Sequence, residues 1–106
     1  MLDENFGKNI GKLLGNAKQM QEKMEEVKQQ LEKAQVSGAA GGDMVVVVIN
    51  GARKVVSVTI SDEAMADRDM LQDLIAAAVS DATRKIEQTI NDTMQKSLMG
   101  GLGGIL

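Results

Sequence analysis

The chain has 106 residues, 25% of them charged, with a formal net charge of −3, and at 43% hydrophobic it is too apolar for a disordered polar chain and suits one domain. It contains no cysteine or histidine, which excludes disulfides, thiolate metal sites, thiol nucleophiles and the commonest general base, so no enzyme activity, metal, cofactor or small-molecule substrate is expected. No apolar run is long enough to span a bilayer and the start, Met1-Leu2-Asp3-Glu4, is acidic, which excludes a membrane role and makes the cytoplasm the expected location.

The first element is an amphipathic helix. Phe6, Ile10, Leu13, Ala17, Met20, Met24, Val27, Leu31 and Ala34 follow one another at alternating steps of four and three, a sustained heptad seam. Gly11 and Gly15 each weaken a helix interior by about 1 kcal/mol relative to alanine. Order is therefore expected from about Asn16, residues 1–14 forming a flexible lead-in to a single domain over residues 15–97. A helix over residues 15–35 would be about 30 Å long at about 1.5 Å per residue, against a radius of gyration of about 13 Å for a compact domain of this size. The seam formed by Leu13, Ala17, Met20, Met24, Val27 and Leu31 must then project, leaning partly on its own domain and partly on a second copy. Phe6 is the only aromatic residue and eight methionines help to fill the interior. So thin a core favours the extra burial of a dimer.

"VSGAAGGD", from Val36 to Asp43, should end the helix near residues 35–38 and reverse the chain, after a short strand at Val36 and Ser37. "DMVVVVINGARKVVSVTI" follows, two β-branched runs around Asn50-Gly51, which predicts an antiparallel hairpin because both turn residues tolerate positive φ. Val56, Val58 and Ile60 form one apolar face, with Val45, Val47 and Ile49 opposite them. Val46 and Val48 add apolar groups to the other face, so the sheet is either covered on both sides or offers a patch to a partner.

Ser61 or Asp62 can cap a first turn and Asp67 or Asp69 can open a long last helix. Its apolar positions, Leu71, Leu74, Ile75, Ala78, Ala82, Ile86, Ile90 and Met94, keep a helical period. The helix should stop before "LMGGLGGIL", leaving residues 98–106 as a glycine-rich flexible tail. Together the elements predict an α+β fold: a long N-terminal helix, a small three-stranded antiparallel sheet and a long C-terminal helix, in two layers and dimeric.

Chemistry-bearing motifs are few. "GAAGGD" lacks the lysine and hydroxyl residue of a phosphate-binding loop and opens a strand rather than a helix. Asp62, Glu63, Asp67, Asp69 and Asp73 gather at the start of the last helix, where they suit its dipole. The cations are more telling. Lys23 and Lys28 flank the seam, while Glu22, Glu25, Glu26 and Glu32 sit on the outward face. With Lys18, Arg84 and Lys85 they form edges able to touch phosphates, sequence-independent contacts that a two-fold axis would double. Alternatively Lys23 and Lys28 pair with Asp81 or Glu87 or lie along the seam, and Lys85, four residues after Asp81, joins an ordinary helical ion pair.

The stretch "GNAKQMQEKMEEVKQQLEKAQVSGAAGGDMVVVVING", followed by "VVSVTISDEAM" and "LIAAAVSDATRKIEQ", resembles the YbaB/EbfC family of bacterial nucleoid-associated proteins. The resemblance runs from Gly15 to Lys96. It implies an α+β homodimer with projecting helices, located in the bacterial cytoplasm and nucleoid, that binds double-stranded DNA with little sequence preference. Carried over by position, it implies Lys18, Lys23, Lys28, Arg84 and Lys85 as the DNA contacts. A protein-interaction module that uses the projecting helix and the Val46 and Val48 face is the alternative.

Overall fold

The computed structural model describes residues 4–103. The elements follow in the order α1 (Glu4–Lys33), β1 (Gln35–Ala40), β2 (Val45–Asn50), β3 (Val55–Ile60), α2 (Asp62–Met65) and α3 (Arg68–Gly103). The strands form one antiparallel sheet in the order β1-β2-β3. This is the α+β arrangement anticipated from the sequence.

The core lies between the sheet and α3. Val45, Val47 and Ile49 point to one face of β2 and are buried against Ala78, Ala82 and Ile86, which follow at helical spacing on α3. Two alanines one turn apart let the helix axis come close to the sheet. Gly38, paired with Val47, completes that approach, since a Cβ there would strike the Ala78 carbonyl and the Ala82 amide. The helix crosses β1 and β2 and leaves β3 largely uncovered, so Val55, Val56 and Val58 are exposed. On the other face of β2, Val46 and Val48 are half-buried.

Local chemistry sets the joints. Ser61 caps α2, its hydroxyl accepting from the Ala64 amide at 3.1 Å, and Asp67 caps α3 by accepting from the Met70 amide at 3.1 Å. The hairpin between β2 and β3 is present but is not the tight two-residue turn that Asn50-Gly51 suggests. Its loop is anchored by the Asn50 side chain, which accepts from Ala52 and Lys54 amides at 3.0 Å each, and the left-handed residue is Arg53, with φ 63°. Gly51 serves a different need. Its amide donates to the Leu31 carbonyl at 2.8 Å, and the α1 backbone at Leu31 fills the space a Cβ would take.

Three boundaries differ from the sequence reading. The first strand runs six residues, not two, because Ala39 and Ala40 continue the ladder opposite Val46 and Val45. The reversal then falls on Gly41, Gly42 and Asp43, all left-handed with φ of 66°, 63° and 69°. Both long helices also outrun the glycines expected to bound them, α1 reaching back to Glu4 and α3 continuing through Leu98 to Gly103. Glycine lowers helix propensity without a steric block, and Gly7, Gly11 and Gly15 meet nothing that would displace the helix. Of the lead-in and tail segments, residues 1–3 and 104–106 lie outside the described residues.

Candidate nucleic-acid interface

The helices extend well beyond the sheet. The molecule measures 76 × 25 × 19 Å, and α1 meets its own domain mainly through its C-terminal end, where Val27 and Leu31 are half-buried and Leu31 bonds to Gly51. Further out the seam is bare. Leu13 and Met20 are each 67% exposed and Met24 is 71% exposed, with Phe6, Ile10 and Leu14 exposed beside them.

Between the C-terminal half of α1 and the C-terminal part of α3 runs an open apolar groove of about 650 Å³. Its floor comes from Met20, Met24, Val27 and Leu31 on α1 and Met94 and Leu98 on α3, closed at the sheet end by Gly51. Lys23 and Lys28 line it together with Ser97. The two lysines border the groove from opposite flanks of the α1 seam, Lys23 just before Met24 and Lys28 just after Val27, about 140° apart around the helix.

The five expected cations divide into three groups. Among the described residues Lys23 and Lys28 make no ion pair with Asp81 or Glu87, the first form of the alternative, because those acids are engaged by other partners. Lys18 lies outside the groove in a shallow surface hollow with Gln21, Glu22 and Glu25, close to acidic charge. Arg84 and Lys85 both bind Asp81, at 2.9 and 3.1 Å. Lys85 also donates to the Ser37 carbonyl at 2.9 Å, and Asp81 accepts from the Ala39 amide at 3.1 Å. A side-chain latch on α3 therefore satisfies groups along the outer edge of β1 that would otherwise face solvent.

Asp81 is held well below the ordinary carboxylate value, at about 2, first by the Ala39 amide and then by Lys85 and Arg84. It stays charged under any physiological condition. The i,i+3 and i,i+4 spacing of these partners was visible in the sequence; the bonds from Asp81 and Lys85 to β1 were not, because they join residues 42 and 48 positions apart. Arg53 was also missed, and it pairs across the fold with Glu87 at 3.3 Å. Among the described residues no group of three or more acidic side chains could hold a metal ion, and no helix is long and apolar enough to cross a membrane.

The sequence matches the YbaB/EbfC DNA-binding family over residues 6–102. A nucleoid-associated protein of Chloroflexus aggregans is 46% identical over 99 residues, covering 92% of this chain and 98% of that protein. One from Legionella pneumophila strain Corby is 41% identical over 109 residues, covering 93% and 97%. Among solved structures, the uncharacterized protein HP0035 from Helicobacter pylori shares the fold with a TM-score of 0.61 at 21% identity, over 72% of this chain and 90% of that one.

Proposed function

The chain belongs to the YbaB/EbfC DNA-binding family, and from that premise we propose that two copies join into a homodimer that grips double-stranded DNA through its phosphates, with little sequence preference, in the bacterial nucleoid. The observation that carries this reading is the placement of Lys23 and Lys28, two cations with no ion pair among the described residues, beside an open apolar groove on projecting helices. Burial of the seam against a second copy would set the lysines of both copies at fixed separation along the joint. Backbone phosphates are the ligand these cations suit, since lysine offers point charge without base-edge geometry. No aromatic platform for stacked single-stranded bases exists in a chain whose only aromatic residue is Phe6. The role is binding rather than catalysis, and the duplex is bent or bundled rather than cut.

A salt titration of duplex binding tests it. The affinity should fall with a logarithmic slope of about −0.9 for each phosphate neutralised, and K23E/K28E should weaken binding while leaving the circular dichroism spectrum intact. Binding unaltered between low and physiological salt, or absent at low salt, refutes the reading. The second reading is a protein-interaction module that uses the projecting helix and the Val46 and Val48 face; the exposed Met20 and Met24 of the helix support it, while Val46 and Val48 are half-buried. Recovery of a stoichiometric protein partner after nuclease treatment would favour it.

A further inference from the structure

Arg84 and Lys85 stand side by side on α3, yet their positive charge is partly cancelled where it stands. Both oxygens of Asp81 are occupied: Oδ1 accepts from Arg84, and Oδ2 takes Lys85 and the Ala39 amide. The strand bond at 3.1 Å anchors the carboxylate beside Arg84. Lys85 has a further acceptor in the Ser37 carbonyl. Among the described residues Arg84 pairs with Asp81 alone, and it is 68% exposed.

We propose that Asp81 limits the phosphate affinity of this chain by acting as a built-in competitor for Arg84, so that contact falls on the α1 lysines and α3 holds a cation in reserve. The proposal rests on the DNA-binding reading above. A guanidinium binds carboxylate and phosphate with the same fork of donors, and a cation paired with a tethered carboxylate gains less from meeting a phosphate than an unpaired one. Removing the charge of Asp81 while keeping its acceptor oxygen should therefore free Arg84 and leave the β1 edge latched.

The test is a salt titration of duplex binding by D81N, R84A and the double variant, with K28A as the reference for a direct contact. In D81N the amide oxygen can still accept from Ala39, and the slope should steepen by about 0.9 per chain, raising affinity at about 0.1 M salt on the order of fivefold to tenfold. R84A alone should leave the wild-type slope in place, whereas R84A in the D81N background should erase the gain. A folded D81N with the wild-type slope overturns the proposal. So does an R84A protein that loses as much slope as K28A, a result that decides the matter even if D81N fails to fold. Duplex binding by D81N but not by wild type supports the competitor and refutes only the DNA-binding reading of the unaltered chain; binding by neither overturns both.

Discussion

A methyl group at residue 38 would meet backbone atoms of α3 on the far side of the sheet, at the Ala78 carbonyl and the Ala82 amide. Backbone has no rotamer with which to yield, so G38A should cost about 3 kcal/mol, the upper end for an overpacked site, and lower the melting temperature by on the order of 10 °C. Gly42, whose neighbourhood is empty, has a left-handed φ of 63° instead, so its substitution brings strain rather than collision. Asp81 makes a second prediction at this scale. Its folded value of about 2 lies below the 3.8 of a free carboxylate, so its charged form stabilises the fold above pH 3.8, and that contribution fades as the pH falls towards 2. Urea midpoints of wild type and D81N, followed from pH 5 downwards, should converge across that window. Glycines and acids were legible as residues in the sequence. What each one faces was not, because Gly38, Gly51 and Asp81 all act through neighbours more than a dozen positions away.

Elements are where the sequence spoke most clearly. The apolar period of α3 named Ala78, Ala82 and Ile86 as inward-facing, and these are its buried residues. Ile86 is among the largest fully buried side chains, and I86A should cost about 2 to 5 kcal/mol in chemical denaturation. Alternation likewise marked Val45, Val47 and Ile49 as one face of β2. It also gave Val58 the same face, correctly, as its pairing with Val47 shows, but could not reveal that α3 passes over β1 and β2 and misses β3. Register is a local property of strands; the line along which a helix crosses them is set by where its small residues fall, here Ala78 and Ala82 over Gly38. Helix length was the weaker inference. Propensity assigns each glycine a penalty without saying whether the neighbouring leucines, methionines and lysines outweigh it.

For the whole molecule the decisive quantity is a radius of gyration of 21.8 Å, where a compact chain of this length would have about 13 Å. Heptad spacing foretold this extension, and with it the seam that stays exposed at Met20 and Met24. If the proposed homodimer joins through this seam, replacing those two methionines by glutamate should shift its sedimentation equilibrium to monomer, since four charges would enter one apolar interface, while the sheet and its α3 cover remain folded. A dimer that survives the double change would place the joint elsewhere. Which cations stay unneutralised was beyond the pattern, since that depends on the three-dimensional neighbours of Lys23, Lys28, Arg84 and Lys85 rather than on their spacing.

The latch that α3 lays along β1 also governs how copies can add to one another. With the Ser37 carbonyl and the Ala39 amide both taken, the β1 edge is less open to an added strand than the β3 edge. A sheet that offers a free edge on one side alone is less prone to open-ended growth by strand pairing than one free on both sides.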